Sequence, residues 1–169
     1  MSDDTLERLY DAHADALFAF VLSVCRDVAD TRDVLQEVFI RLAQRPELLR
    51  GIRDERAFLI RLAHNATLDC LRRRDSRRRA HEGFAEEPPR LFAFPTDPDE
   101  AAFQQELMQG LEELPPEQRA VVHLKLWGGL TFDQISDALE IPLNTAASRY
   151  RYGLDKLRAR LRPLYDEIR

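Results

Sequence analysis

Gly128-Gly-Leu-Thr-Phe-Asp-Gln-Ile-Ser-Asp-Ala-Leu-Glu-Ile-Pro-Leu-Asn-Thr-Ala-Ala-Ser-Arg-Tyr-Arg-Tyr152 is the stretch from which the rest of the chain is read. It predicts two helices joined by a tight turn. Thr131 with Gln134 three residues on is a capping box, which starts the first helix and contributes about 1 kcal/mol. Ile135, Ala138 and Leu139 give that helix a buried side at helical spacing. Pro142 is expected to end it, because the residue before a proline is pushed out of the helical region, and Asn144 is expected to cap the second helix. Along the second helix Ala146, Tyr150, Gly153, Leu154, Leu157 and Leu161 share one face. Thr145, Ser148, Arg149, Arg151 and Tyr152 face elsewhere. A short helix, a turn and a longer helix with small polar and Arg residues at its start fit a helix-turn-helix that reads DNA. An ordinary helical hairpin with a solvated Arg face is the alternative.

The surrounding composition is that of a globular protein: 169 residues, 44% hydrophobic and 33% charged, enough for one compact domain or two small ones. No apolar run approaches the length of a membrane span, and the acidic Met1-Ser2-Asp3-Asp4 has the wrong sign for a secretory signal. Membrane insertion is therefore not expected, and the localisation read from the sequence is cytoplasmic. Cys25 and Cys70 stand in no metal-ligand spacing and are expected to be free thiols in a reducing compartment. The net charge of −5 argues against coating nucleic acid by overall charge, so the placement of charge matters. Nearly all the positive charge is Arg, with Lys125 and Lys156 the only lysines. Arg suits bidentate contact with phosphates and guanine edges, although a GC-rich coding sequence gives the same bias.

Upstream, Leu6, Leu9, Tyr10, His13, Leu17, Phe20, Val21 and Val24 recur at helical spacing from Thr5 to Cys25, with Asp3 or Asp4 as cap. A second helix opens at Ala29-Asp30-Thr31 and buries Val34, Leu35, Val38, Phe39 and Leu42, and Pro46 closes it. Asp30, Asp33, Gln36 and Glu37 make its other face polar and acidic, which by itself reads as a solvated face. After a break at Arg50–Arg53, a third helix runs from about Glu55, burying Phe58, Leu59, Leu62, Ala63, Ala66 and Cys70. Arg61, Asn65, Asp69 and Arg72 lie along its opposite side, with His64 and Arg73 beside them, and the helix runs on into Arg77-Arg78-Arg79. If about five of these arginines met phosphates, affinity would fall with salt at a log–log slope of roughly −4 to −5. Helix-dipole stabilisation and simple solvation are the competing explanations, but the arginines exceed what capping needs.

Between Glu82 and Glu100 the chain turns acidic and proline-rich, with Pro88, Pro89, Pro95 and Pro98 and an embedded Leu91-Phe92-Ala93-Phe94. This reads as a linker. As a flexible coil it would span about 25 Å r.m.s. and about 60 Å at full stretch, enough to set two DNA-binding units a turn or two of duplex apart. A helix from Ala102 to Leu114 follows, and Pro115-Pro116 starts an amphipathic one through Ala120, Val121, Leu124 and Trp127. The expected fold is all-α, with two small helical domains at 1–81 and 102–169 joined by a flexible linker at 82–101.

Two Arg-bearing units on one chain suggest two DNA contacts, and here the residues resemble a family. Asp33-Val-Leu-Gln-Glu-Val-Phe39 and Phe58-Leu-Ile-Arg-Leu-Ala-His-Asn-Ala-Thr-Leu-Asp-Cys-Leu-Arg-Arg-Arg74 look like region two of bacterial sigma factors. Leu114-Pro-Pro-Glu-Gln-Arg119, Gly129-Leu-Thr-Phe-Asp-Gln-Ile135 and Ile141-Pro-Leu-Asn-Thr-Ala-Ala-Ser-Arg149 look like their region four. Having those two regions alone resembles the extracytoplasmic-function (ECF) group of the sigma-70 family. The resemblance implies a promoter-specificity subunit whose partners are bacterial core RNA polymerase and promoter DNA, and often an anti-sigma factor. It implies that Asp33, Gln36, Glu37 and Phe39 dock on the polymerase's largest-subunit coiled coil. Arg61, His64, Asn65, Asp69, Arg72 and Arg73 would engage the minus-ten element, with Arg50–Asp54 a candidate pocket for an extruded base. Thr131, Asn144, Thr145, Ser148, Arg149, Arg151 and Tyr152 would serve the minus-thirty-five element. The linker would run through the polymerase's active-site and RNA-exit channel. Three positions depart from the family pattern: Arg32 where an acidic residue is usual, Phe58 for a common Trp, and Ala147 where a Lys often grips DNA. The last weakens the minus-thirty-five contact or shifts it onto Ser148, Arg149, Arg151 and Tyr152.

A stand-alone, dimeric helix-turn-helix regulator would leave the Asp33–Phe39 and Phe58–Arg74 patterns without a purpose. A sigma-like decoy that binds a regulatory protein is favoured by Ala147 and the acidic net charge and opposed by the Arg72–Arg79 cluster. An enzyme is the weakest reading. His13, His64, His81 and His123 are scattered, with no nucleophile–base spacing or phosphate-binding Gly loop, so no catalytic residue, metal or cofactor is expected.

Overall fold

Asp27 opens the second helix. Its side chain accepts the Asp30 amide at 2.6 Å, and Arg26 before it turns the chain with φ +63°. A computed structural model describes residues 3–80 and 98–167. Within them the order is α1 (Asp3–Cys25), α2 (Val28–Gln44), a 3-10 turn (Pro46–Leu49), α3 (Glu55–Ala80), α4 (Pro98–Glu113), α5 (Pro116–Leu126), α6 (Phe132–Leu139) and α7 (Leu143–Glu167). No strand occurs among the described residues, and the architecture is all-α in two small helical units, α1–α3 and α4–α7. The linker read at 82–101 lies for the most part outside the described residues. Its last four residues, from Pro98, already belong to α4, so that helix starts before the expected Ala102.

Local chemistry moves several boundaries. The second helix starts at Val28 rather than Ala29, because Asp27 supplies the cap. Pro46 does not close α2, which ends at Gln44. Instead it begins the 3-10 turn, where its missing N–H is harmless. Asp54 caps α3 by accepting the Ala57 amide at 2.9 Å. In the helix-turn-helix the capping box forms as read, Thr131 and Gln134 each taking the other's amide at 3.2 and 2.8 Å respectively. Pro142 does not end α6. Glu140 does so in the left-handed region at φ +54°, while the Pro142 carbonyl takes the Thr145 and Ala146 amides and starts α7. Asn144 therefore lies within the first turn of α7 rather than capping it.

In the N-terminal unit Leu9, Leu17, Phe20, Val21, Val24, Val34, Val38, Leu42, Leu59 and Ala63 form the core, and Thr31 is buried with its hydroxyl donating to the Asp27 carbonyl at 2.6 Å. In the C-terminal unit α7 lays Gly153 on Val122 of α5 and Leu157 on Gly110 of α4. The two units pack together. The apolar core runs from Phe20, Leu59, Ile60 and Ala63 into Val121, Leu124, Leu130, Ile135 and Ala138 without a break. Helix α1 lies against α5, and α3 against α6. A cavity of about 220 Å³ remains between them, lined by residues including Leu17, Phe20, Ile60, His123 and Trp127.

Candidate nucleic-acid and polymerase interfaces

Amphipathic α2 buries Val34 and Val38, which leaves Asp33, Gln36 and Glu37 on solvent. These three line a shallow groove with Ile40, Arg41 and Gln44. Phe39 is half-buried and meets the Tyr10 ring edge-on at 5.0 Å. Tyr10 is 53% exposed and Ile40 47%, so the acidic face carries an apolar rim that sequence reasoning did not assign to the site. Large exposed apolar side chains beside carboxylates mark a protein-binding surface better than charge alone does.

The α3 set divides. Asn65, Asp69, Arg72 and Arg73 are exposed, Arg72 resting on Asp69 at 3.0 Å and Arg73 lying 3.6 Å from Glu37 of the acidic α2 face. Arg61 and His64 instead point at the C-terminal unit. Arg61 donates to the Asp137 carbonyl at 2.9 Å and lies 3.3 Å from the Glu140 carboxylate. His64 is only 5% exposed, its Nε2 has no partner, and burial, with Arg149 nearby, pushes the ring down to about 4. Of the arginine run, Arg74 is architectural: it donates to the Cys25 carbonyl at 2.9 Å and pairs with Asp30 at 3.4 Å, tying α3 to the α1–α2 corner. Arg77, Arg78 and Arg79 extend beyond it on solvent.

On the helix-turn-helix, Thr131, Asn144, Arg151 and Tyr152 are exposed and Thr145, Ser148 and Arg149 half-exposed. The Arg151 guanidinium lies 5.1 Å from the Tyr152 ring centre, a stacked pair suited to a nucleic-acid backbone. Ser148 turns inward, donating to the Asn144 carbonyl at 2.7 Å, so its hydroxyl hydrogen is already used. Leu143, 45% exposed at the start of α7, is an apolar member of this surface that the sequence did not single out. Behind it, Phe132 packs edge-on against Tyr150 at 5.4 Å and Lys125 sits over the Phe132 ring at 4.9 Å. That fixes the angle between α6 and α7.

Among the described residues no group of three or more His, Cys, Asp or Glu could hold a metal ion, and no helix is long and apolar enough to cross a membrane. Cys25 and Cys70 are buried free thiols, both raised chiefly by burial.

Comparison with known proteins identifies the family. Residues 9–77 match the family model for sigma-70 region 2, and residues 104–157 match sigma-70, region 4. The chain is 32% identical over 161 residues to the ECF RNA polymerase sigma factor SigL of Mycobacterium tuberculosis, covering 94% of this chain and 90% of SigL. It is 26% identical over 171 residues to SigX of Bacillus subtilis, covering 98% and 88%. In fold it is similar to a chain of the co-crystal structure of the sigma factor RpoE with the anti-sigma factor NepR from Bartonella quintana. That likeness has a TM-score of 0.72 at 17% identity and covers 92% of this chain and 96% of that one. With both sigma regions present in order and relatives matching nearly end to end, the chain belongs to the ECF RNA polymerase sigma factors.

Proposed function

We propose that this sigma factor works by binding energy alone, in the cytoplasm, as a promoter-specificity subunit with three contact surfaces. Its working units are 1–81 and 98–169, the second enlarged by the start of α4, with the residues between them as the connector threaded through polymerase. Asp33, Gln36, Glu37 and Phe39, with Tyr10 and Ile40 as apolar rim, dock on core RNA polymerase. Arg61, His64, Asn65, Asp69, Arg72 and Arg73 meet the minus-ten element. Thr131, Asn144, Thr145, Ser148, Arg149, Arg151 and Tyr152 meet the minus-thirty-five element, where Ala147 leaves the grip to Arg149, Arg151 and Tyr152. An anti-sigma factor is a further partner of the same surfaces, in keeping with the complex in which the structural neighbour was solved.

The observation that carries this reading is the exposed acidic face of α2 with its aromatic rim on the same chain as an exposed helix-turn-helix face. A stand-alone regulator needs only the second. The test is run-off transcription from a pool of promoter fragments with purified core polymerase. Transcripts should appear with the wild type and vanish with Gln36→Ala plus Glu37→Ala. Stable DNA binding with no polymerase association would return the protein to the stand-alone class.

A further inference from the structure

The cavity between α1 and α5 belongs to none of the three contact surfaces. One wall is a single face of α1, from His13 through Leu17 and Phe20 to Arg26, and the facing wall is α5 from Arg119 to Trp127. At a rise of 1.5 Å per residue that face of α1 runs for about 20 Å, so the 220 Å³ is a narrow trough. Ala16, Ala19 and Trp127 stand at its exposed edge, which gives a ligand a way in. Its charge is one-sided. Among the described residues three arginines line it and no carboxylate does. Arg56, toward one end, is already bonded to the Gly128 carbonyl. Arg26 and Arg119 lie together toward the other, and each uses a terminal nitrogen, Arg26 on Glu112 and Arg119 on the Leu114 carbonyl at 3.1 Å. The Nε of each is buried with no hydrogen-bond partner among the described residues, and Arg119 is only 7% exposed. Burial, then Arg26, lowers Arg119 to about 10, the direction expected of a buried cation short of opposing charge. Two orphaned guanidinium N–H groups at one end of an apolar trough ask for an anion with an apolar tail.

We propose that this trough binds a medium-chain carboxylate of about eight carbons, its oxygens taking the Nε–H groups of Arg26 and Arg119 and its alkyl chain lying along Leu17, Phe20 and Leu124. The length follows from the volume. An apolar cavity of about 150 Å³ holds a six-carbon ring, so 220 Å³ holds roughly nine heavy atoms, and a narrow trough suits a chain better than a ring. An alcohol of the same length answers one N–H and no charge, and an amine meets like charge. Because α1 and α3 supply one wall and α4 and α5 the other, an occupant bears on both units at once and stabilises their packing by mass action. The site needs neither polymerase nor DNA, so its test is independent of run-off transcription.

The test titrates octanoate into the full-length protein at pH 7.5. Binding is read by isothermal calorimetry and by the fluorescence of Trp127, the only tryptophan and a lining residue. One octanoate per chain should bind with a Kd of about 10–100 µM, an ordinary efficiency for a ligand of this size, and should raise the melting temperature. Octan-1-ol and octylamine should bind at least about tenfold more weakly. Two variants locate the ligand, and circular dichroism checks that both fold. Arg26→Lys keeps the charge and can still pair with Glu112 but has no Nε–H, and should weaken octanoate about five- to tenfold. Ala19→Phe sets a ring at the exposed edge of the trough and should abolish binding. The proposal is overturned by the absence of saturable binding up to about 1 mM octanoate, by equal affinity for the alcohol or the amine, or by wild-type affinity in either folded variant.

Discussion

Lowering the pH from 7.5 to 5 should destabilise the packed molecule through two histidines that sit where the units meet. His64 on α3 has an unpartnered Nε2, and His123 on α5 lies between Phe20 at 5.8 Å and Trp127 at 5.7 Å. Burial pushes both rings down to about 4, and for His64 Arg149 adds to the effect while Glu117 opposes it. In the unfolded chain each ring takes its proton at about 6.5. Between those values the unfolded state binds more protons than the folded one, so stability falls as pH falls. At pH 5 the loss per histidine is RT ln[(1 + 10^1.5)/(1 + 10^−1)], about 2 kcal/mol, and about 4 kcal/mol for the pair. The Arg8 hydrogen bond holds Glu55 below the ordinary carboxylate range, so its stabilising charge is lost only under more acidic conditions. Urea denaturation followed by circular dichroism and Trp127 fluorescence should show a midpoint about 2 M lower at pH 5 than at pH 7.5. His64→Gln and His123→Gln should each remove about half of that dependence. An unchanged slope in the doubly substituted protein would refute the assignment, as would a wild type indifferent to pH.

Gly153→Ala tests the seam between α5 and α7. A Cβ there would lie 2.7 Å from Val122 Cγ2, a fully buried β-branched side chain with no room to turn. Overpacking of roughly 1–3 kcal/mol outweighs the ~1 kcal/mol gained in helix propensity, so thermal melting should drop by about 3 °C, and a rise would show that the helices can separate. Arg149→Ala should weaken duplex discrimination by about 1–3 kcal/mol while co-purification with core polymerase is unchanged; unaltered promoter choice would remove Arg149 from the reading face.

The helices were legible because their signals are local. The Thr131–Gln134 capping box, the spacing of Ile135, Ala138 and Leu139, and the stripe from Ala146 to Leu157 each depend on a few neighbouring residues, and all stand in the structure as read. The acidic face of α2 was legible for the same reason. What sequence did not disclose is non-local. The arginine line of α3 has one periodicity whether it faces water, DNA or another helix, and only packing sends Arg61 to α6, buries His64 and leaves Asn65 and Arg72 outside. Arg74 looks like its neighbours until the Cys25 carbonyl and Asp30 come within reach. The turn was misjudged for a different reason. Pro142 was read through its effect on the preceding residue, whereas its carbonyl starts α7 and Glu140 accepts the left-handed conformation without a glycine signal.

The continuous core between the units also bears on how the chain is held together. The units are tethered by the residues between Ala80 and Pro98, so their association is a first-order event. A short tether gives each unit a local concentration of the other in the millimolar range. An interface is then held closed at a far lower intrinsic affinity than two separate proteins would need. Severing the peptide between the units would remove that advantage.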